Sequence, residues 1–327
     1  MTDSAPTRPR RSRKDRKLSP VVRFAAWCFI GVCFLVTAVI VAVTAVPGLV
    51  LLPVAHRLDR SPFCTLTESI RDVSIKLHRT EIAERIQKQS QLVAQEGELR
   101  LWRTPGGDWW VPGDSKTILP TLLAQQETKI YGDAGTGGVR PGDIVLDCGA
   151  HIGVYTKEAL RGGARLVVAI EPSSSALRAF RKNVAAEIAD GRVMLVEKGV
   201  WDVDDTLTFY ENGNGAAGDS FLAAGYGAKV VTEVPVTTID RIAADLNLER
   251  VDLIKADVKG AGARMVRGSG EVIRKWKPRI IISTEEPPEE PAEVTAAVLS
   301  ADSSYDRRCG PCLVSGLSVR TDVLFFQ

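Results

Sequence analysis

Five short runs rich in Val, Ile, Leu and Ala recur after residue 140, with stretches of helical periodicity among them. The runs are Asp143–Asp147, Arg165–Glu171, Val193–Glu197, Val251–Asp257 and Arg279–Thr284; the helical stretches are Val154–Arg161, Ser175–Ala189 and Ala263–Lys275. A strand apolar at consecutive positions is buried on both faces, which requires a sheet covered by helices on each side. Parallel strands in turn need crossovers of a dozen or more residues, and helices fill that role. The expected fold class is α/β, a doubly wound Rossmann-like domain. No internal repeat is visible.

Composition narrows the remainder. With 327 residues, 45% hydrophobic and 25% charged, the chain has enough apolar material for a large core and is neither disordered nor low-complexity. Six cysteines are too few for a disulfide-built scaffold. The net charge of +2 conceals a split: residues 1–23 carry eight basic and two acidic residues, so the rest of the chain nets −4. An acidic body excludes nucleic acid as the expected partner, because such proteins neutralise many phosphates.

Between Phe24 and Ala55 there is no charged residue. Its first part, residues 24–46, is long enough to form a helix crossing a hydrocarbon core of ~30 Å. The expectation is a basic tail at 1–23, a transmembrane helix at 24–46, a connector with an amphipathic helix at 47–97, and the α/β domain at 98–327. The basic residues before the span put the N-terminus in the cytoplasm and the domain on the opposite side. Within the connector, Leu66, Ile70, Val73, Leu77, Ile82 and Ile86 predict one helix over Thr65–Gln95. Leu99–Trp102 and Trp109–Val111 flank a Pro-Gly-Gly turn and predict a hairpin whose tryptophans pack or stack on a ligand.

Ligands of doubly wound sheets sit outside the carboxyl ends of the strands. The first such end reads Asp147-Cys-Gly149-Ala150-His151-Ile-Gly153. It fails the G-x-G-x-x-G dinucleotide pattern, since His151 and Val154 occupy the other glycine positions, and matches the D-x-G-x-x-x-G turn associated with S-adenosylmethionine. The second strand ends at Ile170-Glu171-Pro172, where an acid is placed to accept both ribose hydroxyls of an adenosyl group.

These stretches, with Tyr131-Gly132, Val139–Gly153, Ala169–Pro172, Asn183-Val184, Val236–Asp240 and Val251–Asp257, resemble the FkbM family of S-adenosylmethionine-dependent methyltransferases over roughly residues 95–327. The resemblance implies a Rossmann-like methyltransferase fold, S-adenosylmethionine as donor and an oxygen acceptor. By position, Gly149, Ala150 and Gly153 approach the methionine part, with Asp147 and His151 in the same turn. Glu171 holds the ribose, and Gly199 and Val200 border the adenine. Two departures concern the acceptor side: the family's D-x-E-G is Asp257-Val-Lys259-Gly260 here, and Glu285-Glu286 stand where relatives often carry a His.

Asp257 is the candidate catalytic residue, as base or acceptor-orienter, with loop support as the plain alternative. His151 is either a base or a turn-packing residue. Lys255 is expected to pair with Asp257, two residues away on the same strand face. Cys309-Gly-Pro-Cys312 reads as a tight turn with scope for a disulfide, or as a redox pair; the three scattered His residues offer no zinc set. The expected function is membrane-anchored O-methylation of a glycan, lipid-linked or other small-molecule hydroxyl. The alternatives are a decayed methyltransferase that binds cofactor or partner without transfer, and a tethered thiol oxidoreductase. Donor supply favours a cytoplasmic-facing domain, against the charge bias.

Overall fold

A computed structural model describes residues 19–45, 47–113, 118–211, 220–221, 230–284, 290–315 and 318–327. The chain divides into two compact units, Met1–Val50 and Leu51–Gln327. In the first, helix α1 (Pro20–Ala45) exposes Phe24, Trp27, Phe29 and Phe34. Among the described residues no helix is long and apolar enough to cross a membrane. The transmembrane span expected at 24–46 is therefore unsupported; a helix with exposed apolar side chains stands there instead. The tail up to Leu18 lies outside the described residues.

Helix α2 (Pro47–Arg57) contributes Leu52 and Ala55 to a buried cluster with Cys64, Cys312 and Val319. Helix α3 (Leu66–Gln89) opens with a capping box in which Thr65 and Glu68 satisfy each other's backbone N–H. It stops at Ser90, shorter than expected. The next residues form strand β1 (Gln91–Glu96), which pairs antiparallel with β2 (Leu99–Thr104) across Gly97. Leu92 and Val93 favour the strand, and that pairing overrides the helical periodicity.

The predicted hairpin is β2 with β3 (Gly107–Pro112), in which Trp102 faces Trp109. Both tryptophans are buried against Ile152, Val154 and Ala179, so they pack the domain and do not stack on a ligand. Helix α4 (Ile118–Glu127) follows, its Ala124 against Ile82 and Ile86.

The doubly wound core begins with β4 (Ile144–Cys148), α5 (Val154–Arg161), β5 (Leu166–Ile170), α6 (Ser174–Asn183), α7 (Ala185–Ala189) and β6 (Val193–Val196). An insertion follows, comprising β7 (Gly199–Val200), β8 (Asp205–Glu211) and β9 (Val230–Thr237), which pair in the order β7-β9-β8. The chain returns through α8 (Ile239–Asp245), β10 (Leu253–Ala256), α9 (Gly262–Arg267), α10 (Gly270–Trp276), β11 (Arg279–Ser283) and α11 (Glu290–Ala301). It ends in β12 (Arg307–Cys309), β13 (Cys312–Ser315), β14 (Ser318–Thr321) and β15 (Val323–Phe326).

The main sheet has the order β12-β15-β11-β10-β4-β5-β6. Strands β6, β5, β4, β10 and β11 are parallel, whereas β15 is antiparallel to both β11 and β12. The expectation of a parallel sheet holds for those five strands. β15 departs from it because the chain doubles back through β13 and β14 instead of crossing over a helix. Alternate side chains serve opposite faces: Leu146 and Ile254 join the cluster under α8–α11, and Val145 and Leu253 the cluster under α5 and α6. The direction of winding reverses between β4 and β10, and that reversal opens the crevice at their carboxyl ends.

Cys312 forms a disulfide with Cys64, Cα atoms 6.3 Å apart, and not with Cys309. Cys309 closes β12, while Cys312 opens β13 and faces the buried cluster under α2. The Cys309 thiol is free, donates to Phe63 O at 2.8 Å, and has its pKa pushed up by burial. The two cysteines of the Cys-Gly-Pro-Cys stretch thus do not form a dithiol pair, which removes the oxidoreductase reading.

Candidate active site

The turn after β4 is locked to the end of β5, where Gly149 N and Ala150 N both donate to Ile170 O, at 2.9 and 3.1 Å. Gly149 has φ +73°, and a Cβ there would lie 2.1 Å from Asp257 O. A side chain at this position would push apart the ends of β4 and β10. His151 also takes positive φ, at +50°, and its N–H donates to Glu171 Oε2 at 2.8 Å. Ser173 N, at the start of α6, donates to Glu171 Oε1 at 2.9 Å. Each oxygen of this buried carboxylate is thus held by a backbone N–H, which fixes its direction. Glu171 lines a cavity of about 90 Å³ with Gly149, His151, Gly199, Val200 and Asp257.

Six of the nine residues named from sequence therefore meet at one cavity. Asp147, Ala150 and Gly153 do not line it. Asp147 is fully buried beneath the turn, where it accepts from Lys255 Nζ at 2.9 Å and from Thr156 Oγ1 at 2.7 Å. Lys255 also donates to Gly149 O at 3.2 Å. The expected Lys255–Asp257 pair is replaced by this one because Lys255 and Asp147 are direct register partners on β10 and β4. Gly153 caps α5, again in left-handed conformation, and Ala150 is buried in the core.

Across the cavity, Asp257 accepts from Tyr131 Oη at 3.1 Å and lies 3.3 Å from Lys259 Nζ. Burial opposes its charge, but the Lys259 and Lys255 ammonium groups and the hydrogen bond from Tyr131 outweigh that, bringing its pKa down to about 2. Lys259 itself has φ +23°, an uncommon conformation for a side chain of its kind, of the sort that clusters at functional sites. Nearby, buried Glu290 at the start of α11 accepts from Gly262 N at 3.2 Å. Burial raises its pKa to about 8, against the opposing effects of the Gly262 bond and Lys259. Neither Tyr131's contact with Asp257 nor Glu290 was assigned a role from sequence. Tyr131 carried a signal, as the start of a Tyr-Gly pair, but Glu290 lies in a Glu/Pro run without periodicity. Glu285 and Glu286 are outside the described residues.

The remaining wall comes from the insertion. Phe221 lies over Gly199, where a Cβ would come within 2.3 Å of its ring, and its ring centre is 4.9 Å from that of Phe209. Ser220 donates to Lys259 O at 3.1 Å, tying this segment to the Asp257 side.

A five-stranded parallel core with an antiparallel strand beside β11, a cavity at the strand ends and an acid closing the second strand define a methyltransferase-like α/β domain. Residues 147–309 match the family model of the methyltransferase FkbM domain, so this part of the chain is similar to an FkbM methyltransferase domain. No curated protein matches the chain. Among solved structures, the methyltransferase FkbM from Methylobacillus flagellatus KT is 16% identical, with a TM-score of 0.44; the match covers 78% of this chain and 59% of that one. The SAM-dependent methyltransferase from Agrobacterium tumefaciens is 12% identical, with coverages of 71% and 70% and a TM-score of 0.41. M. jannaschii TYW2, in complex with AdoMet, is 12% identical, with coverages of 72% and 88% and a TM-score of 0.40.

The donor set suits an adenosyl group. A buried, oriented carboxylate faces the cavity where a diol needs an acceptor, and Gly199 offers a flat backbone wall to a base. The cavity is smaller than the ~300–1,000 Å³ usual for a drug-sized ligand, because the Phe221 ring occupies the face of Gly199. Seating a nucleoside requires that ring to move aside.

Proposed function

We propose that this domain transfers a methyl group from S-adenosylmethionine to a hydroxyl of a glycan, a lipid-linked molecule or another small molecule. The reading rests on Glu171, whose carboxylate is fixed at the cavity wall by His151 N and Ser173 N. S-adenosylmethionine, when bound, supplies an electrophilic methyl group on a sulfonium. Glu171 would hold its ribose hydroxyls, and Gly199 and Val200 would border its base. Asp257, ionised at any physiological pH, is too weak a base to remove a hydroxyl proton efficiently. Its role in this reading is to orient the acceptor hydroxyl, whose proton is released to solvent on transfer, with Tyr131 and Lys259 keeping the carboxylate charged and in place. The test is titration of the full chain with S-adenosylmethionine, then label transfer to hydroxyl-bearing acceptors. Failure of the donor to bind would overturn the reading.

A second reading, a domain that binds donor without transferring methyl, is favoured by one observation. Lys259 engages Asp257 where the family pattern has a Glu. Donor binding without label transfer to any acceptor would select it.

Attachment to a membrane through residues 24–46 belongs to the same proposal and draws on the uncharged run and the exposed apolar side chains of α1. Donor supply argues for a cytoplasmic-facing domain, whereas the Cys64–Cys312 disulfide argues for an oxidising compartment. Labelling intact cells with an impermeant reagent, followed by fractionation, separates the two.

A further inference from the structure

On the other side of Phe221 lies a much larger groove, of about 1140 Å³, between β8, α9, α10 and α11. Phe221 lines both spaces, and Lys259 and Gly260 are consecutive residues on their two sides. The groove has more room than a small alcohol fills and is lined by four elements, which suits an extended occupant. Its charged lining is Arg264, Arg267 and Arg274 against Glu293. Asp202 sits 2.8 Å from Arg264 and 3.5 Å from Arg267, leaving one cation in excess among the described residues at the groove. The side chains of Arg264 and Arg267 stay about half exposed, at 50% and 47%, and Arg274 is exposed on α10. This excess of positive charge stands on a body that nets −4 outside residues 1–23, and opposite charge is what a groove of this kind selects.

We propose that the acceptor is an extended anionic molecule, bearing phosphate or carboxylate groups, that lies along this groove with its hydroxyl at Asp257. The proposal rests on the methyl-transfer reading and names the substrate class for it. Arg267 and Arg274 are the anion-binding side chains. Arg264, stacked 5.3 Å over Trp201 and bound to Asp202, holds the groove's shape.

The experiment uses the full chain and three probes of similar length: a uronate-containing oligosaccharide, a phosphorylated oligosaccharide and a neutral one. Binding is measured at low and high salt, with S-adenosylmethionine titrated separately. The expected result is that at least one anionic probe binds, more weakly at high salt, while the neutral probe does not. Arg267→Ala combined with Arg274→Ala weakens that binding roughly tenfold, the Lys versions retain most of it, and donor affinity is unchanged. Which anionic probe prevails identifies the group. Equal binding of the neutral probe, or full anion affinity in the double Ala variant, overturns the proposal. Donor binding with no preference for anions sinks the groove assignment alone; salt-sensitive anion binding without donor binding keeps the anion site and overturns the methyl-transfer reading.

Discussion

Lys255 and Asp147 face each other in the register of β10 and β4, their charged atoms 2.9 Å apart, and both are buried. The pair stitches the two strands together at the reversal of the sheet, directly beneath the glycine turn. Thr156 and Gly149 O take up further hydrogen-bonding capacity. Removing one partner strands a buried charge, which costs about 3–5 kcal/mol. Lys255→Met and Asp147→Asn are each expected to lose that much in urea unfolding. Lys255→Met with Asp147→Leu is expected to recover much of it; a double variant no more stable than the singles would show that the pair acts through something other than mutual neutralisation.

Glu171→Gln keeps the shape of the side chain and removes its charge. A hydrogen bond to a charged group contributes about 1.5–3 kcal/mol, so donor affinity in titration calorimetry should fall roughly 10- to 100-fold. Unchanged affinity would place the donor elsewhere.

Lys259→Met withdraws a cation from Asp257, and the carboxyl pKa of Asp257 should rise from its value of about 2 by roughly one unit or more. Carbon-13 NMR of the Asp carboxyls reads this directly, whether or not transfer occurs. An Asp257 titration that does not move would remove Lys259 from its surroundings.

Glu290 titrates near 8 in the folded chain against an ordinary value of 4.5. Between those values the folded state holds a proton that the unfolded state has released. The stability linked to Glu290 is therefore fully present below pH 4.5 and declines by roughly 1.4 kcal/mol per pH unit until pH rises through 8. Glu290→Gln cannot ionise, so its stability relative to the native chain should improve as pH is raised from 5 to 8. A flat difference between the two across that range would contradict the burial of this carboxyl.

The Cys64–Cys312 disulfide closes a loop of 248 residues, and its loss should cost about 2–5 kcal/mol. Reduction, or Cys64→Ser, is expected to lower the melting temperature, whereas Cys309→Ser should have little effect. Equal melting of reduced and oxidised protein would mean that the bond does not constrain the unfolded chain.

The strands at 143–147, 165–171, 193–197, 251–257 and 279–284, and the placing of Gly149, His151, Glu171 and Asp257 at one end of them, followed from sequence alone. Burial on both faces forces a continuous apolar pattern, and parallel winding puts every strand's carboxyl end on the same side. That information is local, carried by a few neighbouring residues. Which charges pair is not. Lys255 finds Asp147 instead of Asp257 because of strand register, and Cys312 finds Cys64 because β13 lands on the cluster beneath α2. Phe221 covers Gly199 because the insertion folds back over the cavity. Each of these joins residues far apart in the chain, with no periodicity linking them, so only the folded arrangement of strands and loops decided them.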